Sequence, residues 1–297
     1  MLAEIIPLDI SIDNEGFIYS IPDEILPYLK IGSLVEIPLK YKSSYGIVAK
    51  LNVENVRNFE IRDILNVTCS TSLLSDYQIE TIYSLSSKYF INIHKVLSLF
   101  LPKFVIKNLE RKSFLDITEE KEKIIFKPNL KIDLDLKLQK RNTLVFNQTG
   151  LNNLDIIAKI CTILEDGIFI FQDNFVIEDF LLKYPSFKKN SIILKDKFTY
   201  TKKYKTFLEI YFKSHNFVFG TRQLLKQNFS KYKNIVYLED SFYKNIYSYT
   251  HKYNNLEILD AISKNGNFNK IIVSSVPSIE LMCKVYNKKI GYLELRK

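Results

Sequence analysis

The residues whose types and spacing come nearest to chemistry run from Arg141 to Ile157, Arg-Asn-Thr-Leu-Val-Phe-Asn-Gln-Thr-Gly-Leu-Asn-Asn-Leu-Asp-Ile-Ile. Leu144 to Phe146 make a short apolar strand, Thr149 and Gly150 sit in a polar turn, and a helix-like run starts at Leu154. This is the layout of a phosphate-binding P-loop. Such a loop wraps phosphates with backbone N–H groups, places a lysine on the β- and γ-phosphates, and puts a Ser or Thr hydroxyl on magnesium. Here Asn153 and Leu154 stand where the lysine and the hydroxyl would fall. The frame is present without the groups that handle a nucleotide.

The elements that must position this loop are strands and helices in turn. Short, continuously apolar runs at 143–146, 167–171, 192–194, 217–219, 234–238 and 270–273 alternate with helix-compatible segments. That pattern predicts a parallel α/β sheet with right-handed crossovers. Ligands meet such sheets at the carboxyl ends of the strands. The tails to inspect are therefore Gln148-Thr149-Gly150, Gln172-Asp173, Gly220-Thr221-Arg222, Glu239-Asp240 and Ser274-Ser275.

The first 70 or so residues read differently. Val35, Ile37 and Leu39 alternate with other residues, as in a half-buried strand. A second strand follows at 45–49, and 17–22 is a short strand stopped by its proline. Together they predict a small closed or nearly closed sheet. Ser75 and Gln78 have capping-box spacing, with Ile79, Ile82, Tyr83, Ser86, Tyr89 and Phe90 as the buried stripe of the helix they open. A second short helix, from about His94 to Phe100, ends at Pro102. The charged stretch 105–140 reads as a linker between domains at 1–104 and 141–297.

Bulk properties bound the rest. With 297 residues, 46% hydrophobic and 25% charged, the chain is globular and not disordered. No long apolar run predicts a membrane span, and the N-terminus lacks a signal peptide's basic and apolar regions. The expectation is a cytoplasmic protein with no membrane partner. Cys69, Cys161 and Cys283 are isolated, which excludes a CxxC-type zinc site. A net charge of +9 invites nucleic acid. Only six of the 42 basic residues are arginine (57, 62, 111, 141, 222, 296), however, and the many lysines, such as Lys188-Lys189 and Lys202-Lys203, read as solvated faces.

The strand tails then resemble a family. Phe217-Val218-Phe219-Gly220-Thr221-Arg222-Gln223-Leu224-Leu225 resembles the "GTRSALF" motif of the primosomal replication-restart helicases (PriA, primosomal protein N-prime). Ser274-Ser275-Val276-Pro277-Ser278-Ile279-Glu280 resembles their "SATPSLE" motif, His251-Lys252-Tyr253-Asn254 their "PRYHARD" element, and Gly167 to Val176 their "VLVLVPEIAL" segment. Phe17 to Pro22, Gly32 to Pro38, Tyr45 to Val48 and Leu99 to Pro102 are similar to the family's 3′-end DNA-binding domain.

The resemblance implies an α/β chain, in which a small β-rich N-terminal DNA-binding domain precedes one RecA-like P-loop helicase lobe with a mainly parallel sheet. It implies DNA, forked or single-stranded, and other primosome proteins as partners. DNA contacts would fall on Phe17, Ile18, Tyr19, Lys40, Arg62, Thr221 and Arg222. Ile18 stands where the family has an acid for the free 3′-hydroxyl, and Ile18 neither accepts from nor donates to a hydroxyl. The family's GVTGSGKTE loop survives only as Thr149 and Gly150, and on the simplest alignment its "DEEH" metal site becomes Leu238-Glu239-Asp240-Ser241. Thr149, Gly150, Asn153, Leu154, Glu239 and Asp240 would thus be vestiges of a nucleotide site. No ATP or magnesium is expected, since both motifs that would hold them lack their key residues, and no zinc, since the family's zinc module and second motor lobe are absent. The leading expectation is a DNA-binding protein of replication restart without ATPase or helicase activity. The alternatives are one half of a split 3′-5′ helicase completed by another chain, and a partner-binding relic.

Overall fold

A computed structural model of the chain describes residues 1–10, 15–39, 42–54, 61–68, 71–101, 105–106, 142–239, 246–247 and 253–296. Its contacts divide it into two compact units, Met1–Asp116 and Ile117–Lys297.

In the first unit, alternation of apolar and polar residues makes a curved antiparallel sheet. Its strands are β1 (Leu2–Pro7), β2 (Phe17–Ser20), β3 (Leu34–Leu39), β4 (Lys42–Leu51) and β5 (Asn66–Val67), in the order β2-β1-β4-β3-β5. The register between β1 and β4 shifts at Glu4/Ile5, and such a bulge sharpens local twist. The two edges then nearly meet. Ser20 bridges Asp63 just before β5, its N–H donating to the Arg62 carbonyl (2.9 Å) while Ile64 N–H donates to the Ser20 carbonyl (3.0 Å). The nearly closed sheet predicted from the short strands is what forms. Ile5, Tyr19, Val35, Ile37, Val48 and Ile64 fill its interior.

Two helices follow, α1 (Asp76–Tyr89) and α2 (Ile93–Phe100). The capping box is present: Ser75 N–H donates to Gln78 Oε1 at 3.1 Å. The buried stripe differs at its end. Ile79, Ile82 and Ser86 are buried and are joined by Leu85, whereas Phe90 is 95% exposed. Phe90 adopts φ +52 as the left-handed C-cap, which turns the chain off the helix axis and carries its ring away from the core.

Glu4 ties these elements together. Its carboxylate accepts from Gly16 N–H (2.7 Å), Tyr83 hydroxyl (2.7 Å) and Lys50 Nζ (2.8 Å). Burial works against its charge, but the Lys50, Tyr83 and Gly16 hydrogen bonds outweigh it and hold the pKa below the usual value. Gly16 passes so close to β1 that a Cβ there would lie 2.5 Å from the Ile5 carbonyl oxygen. The backbone entering Phe17 is therefore clamped from two sides.

The second unit is built as its apolar runs predict. In chain order it contains β6 (Asn142–Asn147), α3 (Asn153–Ile163), β7 (Gly167–Ile170), α4 (Asn174–Lys183), α5 (Ser186–Lys189), β8 (Ser191–Leu194), α6 (Tyr200–Phe212), β9 (Phe217–Gly220) and β10 (Asn234–Leu238). The small antiparallel pair β11 (Ile246–Tyr247) and β12 (Tyr253–Asn254) follows, then α7 (Asn255–Gly266), β13 (Asn269–Ser274), α8 (Ile279–Tyr286) and β14 (Gly291–Leu295). Seven strands join in one sheet of order β14-β6-β13-β10-β7-β9-β8, every pair parallel. The chain is thus an α/β protein with a β-rich first unit and a parallel-sheet second unit of the RecA-like type. Val145, Phe169, Phe219 and Val236 on the sheet pack with Ile156, Ile160 and Phe180 of the helices.

Most of the stretch 105–140 expected as a linker lies outside the described residues, although Val105 is fully buried. Among the described residues no helix is long and apolar enough to cross a membrane.

Candidate functional site

In the first unit the candidate surface is β2 with the strand that pairs to its end. Phe17 is 40% exposed and Ile18 half-buried. Tyr19 belongs to the core. It is 5% exposed, and its hydroxyl donates to the Pro38 carbonyl at 3.2 Å. Burial raises its pKa, and the nearby Arg62 charge opposes that only in part. Tyr19 is therefore corrected from a DNA contact to a core residue. Phe17 and Tyr19 share one face of the strand, and only the residue at its open end reaches solvent. Arg62 is exposed and lies within electrostatic reach of Tyr19, and its carbonyl meets Ser20 N–H at the end of the strand that Phe17 opens. Lys40 lies outside the described residues.

In the second unit the sheet order brings the carboxyl ends of β6 and β13 side by side, with β10 next. The loop after β6 occupies the P-loop position, and its polar groups are turned on one another. Asn147, 5% exposed, places its amide at the centre. Asn147 Nδ2 donates to the Leu151 carbonyl (2.8 Å) and to Asn153 Oδ1 (2.7 Å). Asn147 Oδ1 accepts from Thr149 N–H (3.1 Å) and from Thr149 Oγ1 (2.7 Å). Thr149 Oγ1 in turn accepts from Leu151 N–H (3.0 Å), and Asn152 Oδ1 caps α3 by accepting from Leu154 N–H (2.9 Å). Gly150 turns the loop at φ +73, a conformation that side chains resist.

Asn153, at the lysine position, is buried, and its Oδ1 also accepts from Ser275 Oγ (3.0 Å). It thereby joins the end of β6 to the turn after β13. Leu154, at the hydroxyl position, is 7% exposed and belongs to the apolar core.

Glu239, expected as a vestige of a nucleotide site, is 2% exposed. Its charge acts on Tyr237, raising that phenol's pKa behind the larger effect of burial. Asp240 lies outside the described residues, as do His251 and Lys252. Among the described residues no group of three or more His, Cys, Asp or Glu side chains is placed to hold a metal ion.

Thr221 is also corrected. It is 1% exposed, and Oγ1 donates to Asp196 Oδ1 (2.8 Å) while capping the short turn at Arg222–Lys226. A buried hydroxyl pledged to a carboxylate is a brace, not a backbone contact for DNA. Arg222 is half-buried, and its charge is felt by Tyr237 and by Lys226. Burial, then Arg222, lowers the Lys226 pKa, with Asp196 opposing. Asp196 thus links the ends of three strands, since its N–H and Oδ2 also meet the Asn174 amide (3.5 and 3.4 Å) after β7.

Asn147, Asn152, Asp196 and Glu4 were missed as organising residues. Their signal is the density of Asn, Asp and Thr just beyond apolar strands, where short polar side chains satisfy nearby N–H groups. Glu4 carries no local signal, because Tyr83 lies 79 positions away.

A family model decides what the first unit is like. Residues 5–102 match that of the 3′ DNA-binding domain (3′BD) of PriA. The match covers about a third of the chain, within the first unit. No curated protein is matched by the sequence. Among solved structures, the C-terminal domain of S. cerevisiae Dbp5, bound to Gle1 and IP6, is similar over 52% of this chain and 89% of that one, at 8% identity and TM-score 0.40. The fold of the second unit rests on its own sheet order, not on that likeness.

Proposed function

We propose that the protein binds forked or single-stranded DNA through its first unit, in a PriA-like role in replication restart, and that its second unit is a RecA-like lobe without ATPase or helicase activity. The observation that carries DNA binding is the match of residues 5–102 to the PriA 3′ DNA-binding domain, with Phe17 and Arg62 exposed on adjoining strands. Phe17 offers a ring for base stacking, and Arg62 a guanidinium for phosphate. Ile18 gives the terminal hydroxyl no partner, so a strand end is held by stacking and charge.

Loss of ATP handling is supported by the loop after β6. Thr149, Leu151 and Leu154 N–H groups, which a phosphate would need, are occupied by Asn147, Thr149 and Asn152 side chains. The charge of a lysine and the hydroxyl for magnesium are replaced by Asn153 and a core leucine. These residues do not fit a nucleoside triphosphate, and no catalytic step is assigned to them.

A second reading, one half of a split helicase completed by another chain, is favoured by one observation. Ile279, Met282 and Tyr286, at helical spacing on α8, are 80%, 38% and 88% exposed, an apolar stripe suited to a protein partner.

The test is a titration with fluorescent forks carrying a free 3′ end, a blocked 3′ end or a blunt end, with and without Mg-ATP. Affinity should fall steeply with salt, ignore blocking and ATP, and drop about tenfold in Phe17→Ala. Arg62→Ala should weaken all substrates alike and reduce the salt slope by about one. Binding indifferent to both substitutions refutes the DNA reading. ATP hydrolysis stimulated by DNA, alone or after mixing with another chain, refutes the inactive lobe.

A further inference from the structure

The seam of the small barrel holds a second feature. β2 and the strand leading into β5 run parallel where Ser20 bridges Asp63. Phe17 and Arg62 precede that bridge. Beyond it, β2 has ended at Ser20, and the turn that begins at Pro22 diverges from Ile64. The divergence opens a cleft of about 530 Å3, within the size range of small-molecule sites. Ile25 and Val67 line it half-buried, Tyr28 and Leu65 stand in it 60% and 50% exposed, and Glu24 and Asn66 bring polar groups to its rim. The barrel does not need the two exposed side chains, because their neighbours Leu29 and Ile64 are the ones buried, at 6% and 1%.

We infer that this cleft is a nucleobase subsite for the DNA strand whose end lies at Phe17 and Arg62. The inference rests on the DNA-binding reading above. A base stacks on the Tyr28 ring, with Leu65 and Ile25 as its apolar surroundings and its hydrogen-bonding edge toward Glu24 and Asn66. Exposed carboxylates at Asp23, Glu24 and Asp63 repel phosphate, so the cleft takes the base while the backbone stays on the Arg62 side. Position supports the same occupant. Phe17 opens β2 and Pro22 lies two residues past its end at Ser20, so the two are at most about 16 Å apart at ~3.3 Å per residue of extended chain. At the ~3.4 Å rise of a stacked strand this spans at most about five nucleotides. The Glu24 carboxylate only accepts hydrogen bonds, so it favours cytosine, with its exocyclic amino donor, over thymine.

The experiment uses the full chain and single-stranded oligonucleotides in which one abasic site moves stepwise inward from the 3′ end. In the unaltered protein, one internal position within about five nucleotides of the end should cost about tenfold in affinity. Tyr28→Ala should weaken the intact oligonucleotide by the same factor and abolish sensitivity at that position, while Phe17→Ala preserves it. Cytosine should be preferred to thymine there, and Glu24→Ala should remove the preference. If DNA binds and depends on Phe17, yet the abasic series is flat or Tyr28→Ala binds unchanged, the subsite falls and the DNA reading stands. If the unaltered protein binds no DNA, both fall.

Discussion

Replacing Asn147 with alanine tests whether the loop after β6 is held by its own side chains. The amide makes four hydrogen bonds, two as donor and two as acceptor. At roughly 0.5 to 1.5 kcal/mol each, their sum would be about 2 to 6 kcal/mol. Leu151 and Thr149 can recover water, since the first is 43% exposed and the second half-buried. The cost therefore falls mainly on the bond to the buried Asn153 Oδ1, which keeps Ser275 Oγ as a second partner, and on the hole left by a side chain at 5% exposure. We expect a loss of about 2 to 3 kcal/mol. Urea unfolding of the full chain should show a lower midpoint at constant slope. Hydrogen exchange at the Thr149 and Leu151 amides should rise from protected to nearly free. Gln148→Ala, at an exposed neighbour, should change stability by less than about 0.5 kcal/mol. A loss below about 1 kcal/mol, or amides at 149 and 151 already unprotected in the unaltered protein, would show that the loop is not braced. The argument that its phosphate-binding groups are occupied would then fail.

Two further outcomes follow from buried polar groups. The Glu4 pKa is held below its ordinary 4.5, so the unfolded chain binds the proton more readily. Glu4 thus contributes stability that is fully present above that ordinary value and is lost as pH falls through the lower folded value. Glu4→Gln should cost about 1.5 to 3 kcal/mol at neutral pH and flatten the acid limb of the stability profile; an unchanged limb would assign it to other acids. Thr221→Val removes the hydrogen bond to Asp196 and should cost about 1 to 2 kcal/mol without altering DNA affinity. A drop in affinity at unchanged stability would restore Thr221 as a contact.

What could be read from the sequence was periodicity, and what could not was direction. Continuous apolar runs gave away the strands of the parallel sheet because a strand covered on both faces needs no polar side. β14 escaped because Glu294 interrupts it and, as an edge strand among the described residues, it pairs with β6 alone. β1 escaped because Glu4 lies in its middle, and only the fold brings Lys50 and Tyr83 to neutralise the cost of burying that acid. The candidate site failed in the same manner at Tyr19 and Thr221. Residue type made both plausible contacts, but a strand's exposed face is settled by what packs across it. Phe17 and Tyr19 have the same parity, and burial separates them.

The braces at the strand ends share one chemistry, and it bears on what the second unit can do. After β6, β7 and β9, the N–H groups that open the next helix or turn are accepted by Asn152, Asp173 and Thr221 side chains. A helix opening is attractive to an anion because its first N–H groups lack partners. Capping by a neutral Asn or Thr takes up part of that opportunity, and capping by Asp173 adds a negative charge where phosphate would approach. Asn153 and Asp196 then link neighbouring loops to each other. Loops that answer a nucleotide must have two arrangements, and a ligand shifts them only by binding one better than the other. Side chains that already occupy these N–H groups favour one arrangement before any ligand arrives. A DNA-binding role for this unit would therefore be played by a fixed surface, with Arg222 placed by packing and not by nucleotide state.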